Sequence, residues 1–285
     1  MSTSPIVARW ELSLRLSRRR KELGLGVPAV TAALEFSRNY WSAIENDRTV
    51  ISEEKLKLLF DVFRFNATEQ EELLQLRRDI RQRGWWDDYP QIDHETRRFF
   101  GLEDGAKKIR AYESNLIPGL LQVPEYALAF LESDPAFSPL EAKRRVDTRV
   151  HRQRLLSDSD PLTFTALLSE AALLQQVGGA EVQRQQLQHL IDLLQADHPS
   201  LEIRIVPFEA TPGIVANAST LLLFDFGSPH LPDMVWQETI IPSEVFLSGG
   251  PEFERLGVSW DDGLAASLST EDSAELIEQK LGELT

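Results

Sequence analysis

The chain has 285 residues, enough for two domains, and its 45 Asp and Glu residues outnumber its 30 Lys and Arg residues, which gives a net charge of −15. It contains no cysteine, which excludes disulfides, a thiolate nucleophile and Cys-ligated zinc. No signal peptide opens the chain and no apolar run approaches the length of a membrane span, so we expect a cytoplasmic protein with no membrane partner.

The charge is unevenly distributed along the chain. Residues 1–86 contain 15 Lys and Arg residues against 12 Asp and Glu residues, a balance of +3, whereas the rest contains 15 against 33, a balance of −18. An acidic protein repels DNA, but a locally basic part can still contact phosphates. We therefore expect any affinity for nucleic acid to come from the first part and to be sensitive to salt.

Two amphipathic helices are predicted near the start of the chain. The first spans residues 10–23, with leucines facing inward, Arg15 and the basic run 18–21 facing outward, and Gly24 at its end. The second begins near Pro28, which suits a first helical turn. A lone basic run is most often a solvated helix face, and phosphate contact is the alternative beside a DNA-binding motif.

A third predicted helix has two faces of different chemistry. Ser37 can cap it, because its hydroxyl can accept a backbone N–H from the first turn. At helical spacing, Trp41 and Ile44 share an inward face with Leu34. The outward face presents Arg38, Asn39, Ser42 and Ala43. Arg pairs with guanine and Asn with adenine in the major groove, and an Ala methyl can meet a thymine methyl.

These helices resemble the XRE (Cro/repressor-like) family of helix-turn-helix DNA-binding domains over residues 8 to about 83. The resemblance implies that the third helix contacts base edges and that the loop containing Asn46 and Arg48 meets the phosphate backbone. Two positions depart from the family pattern. Gly26 replaces a usual Ser or Thr, and Val27 replaces a Gln that touches phosphate, so we expect a weaker backbone clamp.

The predicted DNA contacts fall into two groups. The base-reading residues are Arg38, Asn39, Ser42 and Ala43. The backbone-contacting residues are Arg18, Arg19, Lys21, Ser37, Tyr40, Asn46 and Arg48. Because one helix-turn-helix reads only a few base pairs, we expect a homodimer on double-stranded DNA. The alternative is an all-helical packing module whose outward residues are merely solvated.

Two more helices complete a predicted five-helix domain over residues 1–84. Ser52 begins the fourth, and a capping box of Thr68 and Glu71 begins the fifth, which continues to about Arg83. The aromatic segment 84–90 breaks the helical periodicity. It is predicted to be the hinge into a second domain, with its Trp pair packed against a surface.

Residues 85–285 mix helices and strands, which predicts an α+β domain after a mainly α first domain. The predicted helices span residues 93–102, 125–132, 140–156, 180–194, 251–256 and 270–281. The predicted strands span residues 108–112, 162–168, 201–206, 221–226 and 234–237.

The segment Glu113–Gln122, followed by Tyr126 and Ala127, resembles the start of the uncharacterised DUF5753 domain. Further matching residues follow in the same order, namely Arg149, Arg152, Gln153, Leu155, the run 169–173, the run 177–179, Gln186, Leu187 and the run 206–208. The resemblance implies an actinobacterial transcription factor with a domain that binds a small-molecule effector or a protein. A small, acidic, DUF397-type protein is one such partner.

Six residues of the second domain form a candidate ligand pocket. They combine an apolar pair beside a polar amide with nearby aromatics, and they are Tyr112, Leu120, Gln122, Tyr126, Phe224 and Trp236. The alternative, which aromatics at strand positions favour, is that all of them belong to the core.

We predict no enzyme, catalytic residue, metal site or cofactor. The His residues lack metal-ligand spacing, and neither a phosphate loop nor a nucleophile elbow occurs in the sequence. Glu170 and Glu238, near strand ends, could form an acid/base pair, but lone carboxylates are more often structural.

The sequence therefore predicts a transcriptional regulator that binds a specific DNA site through its third helix and is controlled through its second domain. A second hypothesis makes it an antitoxin-like or partner-titrated protein that binds a small protein and autoregulates. A third, an enzyme with a DNA-binding head, lacks a recognisable nucleophile or metal cluster.

Overall fold

The computed structural model describes residues 4–196, 198–210, 220–238 and 244–284. The chain divides into two compact units: Met1–Gly105 with Ser228–Leu231, and Ala106–Gly227 with Pro232–Thr285. None of the described helices is both long and apolar enough to cross a membrane.

The first unit is helical throughout its described elements. These are α1 (Pro5–Glu22), α2 (Val27–Ala33), α3 (Arg38–Glu45), α4 (Glu53–Phe63), α5 (Ala67–Asp79), a 3₁₀ turn (Trp85–Asp88) and α6 (His94–Gly105). One apolar cluster joins the first five helices, and its largest fully buried members include Leu16, Trp41, Leu56 and Phe63. Burial of this shared cluster therefore holds the helices in place.

Two helix starts differ from the sequence prediction. Helix α1 begins at Pro5 rather than at residue 10, because Pro fits the first turn of a helix. The capping box before α5 uses Asn66 and Glu69, not Thr68 and Glu71. The Glu69 N–H donates to Asn66 Oδ1 at 3.0 Å, and the Asn66 N–H donates to Glu69 Oε2 at 2.7 Å.

The predicted hinge at residues 84–90 packs inside the first unit. Trp86 is buried, and the Trp85 ring stacks on Phe100 of α6 with 5.0 Å between centroids. This aromatic cluster adds α6 to the five predicted helices. Contacts therefore place the boundary between the units after Gly105, rather than after Gly84.

The second unit is an α+β structure, as predicted. Its strands are β1 (Lys108–Glu113), β2 (Thr163–Ser169), β3 (Leu201–Val206), β4 (Thr220–Asp225), β5 (Met234–Glu238) and β6 (Glu244–Leu247). Its α-helices are α7 (Pro124–Glu132), α8 (Pro139–Arg152), α9 (Glu170–Leu174), α10 (Ala180–Gln195), α11 (Pro251–Ala266) and α12 (Thr270–Glu283). Two 3₁₀ turns, Gly119–Leu121 and Gln153–Leu156, precede α7 and follow α8.

The strands form one mixed sheet in the order β3-β2-β1-β4-β5-β6. Strands β1, β2 and β3 run parallel, because helices connect them, whereas β4, β5 and β6 pair antiparallel. The short strand β6 was not predicted from the sequence. Helix α11 covers one face of the sheet, where Trp260 packs in an apolar cluster with Leu223 and Val235.

Candidate nucleic-acid interface

Helix α3 starts where the sequence predicts a cap. Ser37 has an extended backbone (φ −74°, ψ 150°), and its Oγ accepts a hydrogen bond from the Tyr40 N–H at 3.1 Å. The hydroxyl thus satisfies one of the backbone donors that a helix start leaves unpaired. This bond fixes the helix to begin at Arg38.

The inner face of α3 is anchored in the core. Trp41 and Ile44 are 0% and 1% exposed, and the Trp41 ring meets Phe63 edge-on with 5.9 Å between centroids. Leu34, at the end of α2, is buried in the same cluster. Rotating α3 would expose this apolar surface, so the packing determines which residues face outward.

The outer face of α3 presents the predicted base-reading residues together. Arg38, Asn39 and Ser42 are exposed, and Ala43 is half-buried beside them. Within the described residues, the side chains of Arg38 and Asn39 have no hydrogen-bond or ion-pair partner. Their donors and acceptors therefore remain available for base edges.

An ion pair joins the end of α3 to α1. Arg20 Nε donates to Glu45 Oε1 at 2.7 Å, and Arg20 Nη1 donates to the Leu25 carbonyl oxygen, also at 2.7 Å. Both charged side chains are about seven-eighths buried, at 14% and 13% exposure. A charge-assisted pair of this kind holds both elements in a defined geometry.

The turn between α2 and α3 closes through the backbone. The Phe36 N–H donates to the Thr31 carbonyl oxygen at 3.0 Å. Glu35 adopts a left-handed conformation with φ of 54°, which L-residues other than Asn and Asp seldom adopt. The resulting helix-turn-helix therefore includes a strained residue at its centre.

The loop after α3 is also ordered by hydrogen bonds. Asn46 Nδ2 donates to the Ser42 carbonyl oxygen at 2.7 Å, and the Arg48 N–H donates to the Ala43 carbonyl oxygen at 2.8 Å. Asn46 and Arg48 are both exposed, as phosphate contacts require. Between them, Asp47 pairs with Arg9 at 2.8 Å, and burial raises the pKa of its carboxyl group even though Arg9 opposes the shift.

Lys55 is a phosphate-contact candidate that sequence reasoning missed. Its Nζ lies 4.5 Å from the centroid of the Phe36 ring and 4.6 Å from that of Tyr40. These cation–π contacts hold a positive charge beside the first turn of α3, where Ser37 and the half-buried Tyr40 also lie. The sequence predicts that Lys55 lies in the fourth helix, but nothing in it indicates that Lys55 lies close to α3.

Most of the basic run on α1 stabilises the unit itself. Arg19 Nε and Nη2 donate to the carbonyl oxygens of Phe63 and Arg64, both at 2.8 Å, which satisfies the end of α4. Arg18 Nη1 donates to the His230 carbonyl oxygen at 2.6 Å. Lys21 is exposed, and no side-chain partner for it occurs among the described residues.

The outward orientation predicted for Arg15 is wrong. Its side chain is 8% exposed and pairs with Glu72 of α5 at 2.6 Å and with Glu11 at 3.6 Å. A long guanidinium side chain can leave the outer face of its own helix to reach a carboxylate on a neighbour. Arg15 therefore joins α1 to α5.

The structure does not bring the six candidate pocket residues to one site. Tyr112 of β1 pairs with Leu221 of β4, so these two side chains lie on the same side of the sheet. Phe224 lies three residues after Leu221 on β4, and successive strand residues face alternate sides, so Phe224 faces the side opposite to Tyr112. Trp236 shares the side of Phe224, since Phe224 pairs with Met234. All six are at most 4% exposed, which agrees with the alternative that they are core residues.

The DUF5753-like segment is held by buried hydrogen bonds at Gln122. Gln122 Nε2 donates to the Ile117 carbonyl oxygen at 2.7 Å, and Gln122 Oε1 accepts a hydrogen bond from Arg149 Nη1. The backbone carbonyl of Gln122 accepts one from Gln153 Nε2 at 2.6 Å. Three residues that carry the family resemblance therefore bind one another.

Two further residues of the resemblance complete this network. The Tyr126 hydroxyl accepts a hydrogen bond from the Ile117 N–H at 3.3 Å, and burial raises the pKa of this phenol to about 12. Gln186 of α10 accepts from the Val123 N–H and donates to the Leu121 carbonyl oxygen. The segment after β1 is thus fixed from both α8 and α10.

Glu170 has structural partners. Its Oε2 accepts a hydrogen bond from the Phe208 N–H at 3.0 Å, and its Oε1 lies 3.1 Å from Lys280 Nζ. The Glu238 side chain lies outside the described residues, so the predicted acid/base pairing has no geometry to compare. Within the described part of the chain, no three His, Asp or Glu residues form a metal-holding group.

Comparison with known proteins identifies both parts of the chain. Residues 11–73 match a family described as a helix-turn-helix domain, which supports DNA binding and transcription regulation. Residues 96–279 match a family described as a domain of unknown function, DUF5753. No curated protein and no solved structure matches the chain. Because the second match covers more than half of its length, the chain belongs to the DUF5753 family, with a helix-turn-helix DNA-binding domain before it.

Proposed function

We propose that this DNA-binding protein is a sequence-specific transcriptional regulator whose α3 enters the major groove. The observation that supports this most is the two-sided construction of α3. Trp41 and Ile44 fix its inner face, while the Arg38 and Asn39 side chains have no partner in the described protein. In this arrangement Arg38 reads a guanine and Asn39 an adenine, with Ser42 and Ala43 alongside.

The proposed backbone contacts surround that helix. They comprise Lys21, Ser37, Tyr40, Asn46, Arg48 and Lys55. Arg18 and Arg19 are not included, because their guanidinium groups hydrogen bond within the first unit. A local balance of only +3 supplies few phosphate contacts, so two copies on half-sites about one helical turn apart provide the affinity.

The region after Gly105 serves, in this proposal, as a non-enzymatic regulatory part in a cytoplasmic homodimer. Binding of an effector or a protein there shifts the population between states of different DNA affinity. A second candidate function, a partner-titrated protein that binds a small DUF397-type protein and autoregulates, is favoured by one observation. Helix α8 presents exposed basic residues on a domain that is otherwise acidic.

The test begins with selection of binding sites from random duplex DNA on the full-length protein, which defines an operator. Arg38→Ala and Asn39→Ala are each expected to weaken operator binding by about 1 to 3 kcal/mol and to relax specificity at one position. Fluorescence anisotropy over a salt series measures the loss.

Arg83→Ala is the matched control, since Arg83 is also exposed but lies beyond the end of α5. It should leave the base preference unchanged. Unchanged operator affinity in Arg38→Ala would show that α3 does not read DNA in this protein.

A further inference from the structure

Helix α8 and the 3₁₀ turn after it are a basic island in an acidic region. Residues 139–156 contain six Lys and Arg residues against two Asp and Glu residues, a balance of +4. The other residues after 86 contain nine against 31, a balance of −22. A concentration of one charge sign on a surface of the other sign attracts a complementary group locally.

The six basic residues of this island divide between an inner set of three, which includes the half-buried Arg152, and an outer set of three. Arg145 lies over the Phe137 ring at 4.2 Å, and Arg149 hydrogen bonds to Gln122. Lys143, Arg144 and Arg154 are exposed, and none of their side chains has a hydrogen bond or ion pair in the described residues. Packing of the helix accounts for the inner set, whereas no hydrogen bond or ion pair accounts for the outer set within the described residues.

Two exposed apolar side chains interrupt the outer basic residues. Leu140 is 59% exposed and Val150 is 44% exposed. Five exposed residues recur at intervals of three, four, three and four along the chain: Leu140, Lys143, Asp147, Val150 and Arg154. This is the spacing with which one helix lies along another.

The chemistry of the occupant follows from this face. Two apolar anchors lie among three exposed cations, Lys143, Arg144 and Arg154, and two exposed carboxylates, Glu141 and Asp147. The excess of cations suits an amphipathic helix whose own anchors are flanked mainly by Asp or Glu. DNA fits less well, since the phosphates that cover its outer surface offer Leu140 and Val150 little apolar area, and since the other residues after 86 carry a balance of −22 that repels it.

A second copy of this chain also fits less well. The acidic face of α12, with Glu271, Glu275 and Glu278 exposed, is the complementary surface that another copy offers. Helix α8 packs against α7, α7 against α10, and α10 against α12, so α8 and α12 are separated by two helices. A two-fold dimer would have to form both α8–α12 contacts at once across that separation.

We propose that the outward face of α8 and of the turn after it, defined by Leu140, Lys143, Arg144, Asp147, Val150 and Arg154, is the docking site for an acidic amphipathic helix of a partner protein. The proposal deepens the regulatory role assigned above to this part of the chain, because it names the chemistry of what binds. It does not depend on DNA recognition by α3.

A peptide selection tests the docking site on the full-length protein. A displayed random peptide library is selected on the wild-type chain and counter-selected on Lys143→Glu/Arg144→Glu. The most enriched peptide is then synthesised and titrated by fluorescence anisotropy. Enriched peptides should be acidic, with apolar residues at intervals of three and four, and the charge reversal should weaken binding about tenfold or more.

The matched control is Lys108→Glu/Arg255→Glu, which changes the net charge equally at exposed positions on β1 and α11. It should change peptide affinity less than about twofold, because neither residue belongs to the proposed face and salt screens exposed charges beyond about 10 Å. Val150→Ala, which keeps every charge, should also weaken binding. Circular dichroism confirms that each variant is folded.

Four results would overturn the proposal. The first is enrichment of peptides without acidic bias. The second is equal weakening of binding by the control pair. The third is displacement of the peptide by a short random duplex, which would assign the face to nucleic acid. The fourth is self-association that Lys143→Glu/Arg144→Glu abolishes. Arg38→Ala should bind the peptide like wild type, so failure of this site and failure of α3 are distinguishable.

Discussion

Helix α3 and the segment Glu113–Gln122 both contain residues by which this chain resembles known families, but they use those residues in opposite ways. Arg38 and Asn39 project outward with no partner in the described protein, whereas Gln122 and its partners Arg149 and Gln153 bind one another. A family resemblance therefore marks an outward surface, which we propose reads DNA, in the first case and an internal hydrogen-bond network in the second. In the second unit, the docking site that we propose therefore lies outside the motif.

The largest effect is expected from a substitution that removes the hydrogen bonds of the Gln122 side chain. Gln122→Leu removes one hydrogen-bond partner from the Ile117 carbonyl and one from the Arg149 guanidinium, and should lower the free energy of unfolding by about 2 to 3 kcal/mol. Hydrogen exchange followed by mass spectrometry should show the loss at residues 108–210.

Asn115→Ala is the control from within the same motif, because Asn115 is exposed. It should cost less than about 0.5 kcal/mol. If the two substitutions had equal and small effects on unfolding, the motif would not be a structural network and a ligand role would again be open.

A smaller effect, on DNA affinity, is expected from a substitution in the loop after α3 and tests the proposed DNA contacts. Arg48 is exposed in the loop after α3, so Arg48→Ala should weaken binding to all DNA sequences alike. The slope of log affinity against log salt should become shallower by about 1, since one phosphate contact is lost. A change in base preference instead would place Arg48 against a base edge.

The smallest effect concerns the turn that orients α3. Glu35→Gly relieves the left-handed backbone at φ of 54° and should stabilise the protein by about 0.5 kcal/mol, the relief being partly offset by the greater freedom of Gly in the unfolded chain. Thermal unfolding measures the gain. Glu35→Gln removes the charge but keeps the strain, so a gain of equal size there would assign the effect to charge.

Local patterns predicted the parts of the fold that depend on neighbouring residues. The Ser37 cap, the inward Trp41 and Ile44, and the five longer strands follow from spacing and capping chemistry, and the structure contains them. The capping box was misplaced by two residues, because Asn66 and Thr68 are both good caps and Glu occurs three residues after each.

Features that depend on distant contacts could not be predicted from the sequence. Helical spacing placed Arg15 and Arg19 outward, but it contains no information about Glu72 or the end of α4, which these side chains reach. Grouping Tyr112 with Phe224 failed for the same reason, since the side of a sheet that a residue faces depends on strand register. The basic residues of α8 were visible in the sequence, but their division into inner and outer sets was not.

The independence of Arg38 and Asn39 from the rest of the protein has an evolutionary consequence. Because neither side chain has a partner in the described structure, substitutions at these positions should cost little stability. Under the proposed function, such substitutions change which DNA is read. Under the proposed function, a duplicated gene can therefore acquire a new operator by a few point mutations in α3 while its DUF5753 domain stays unaltered. Retargeting such a regulator in the laboratory should begin at these two positions.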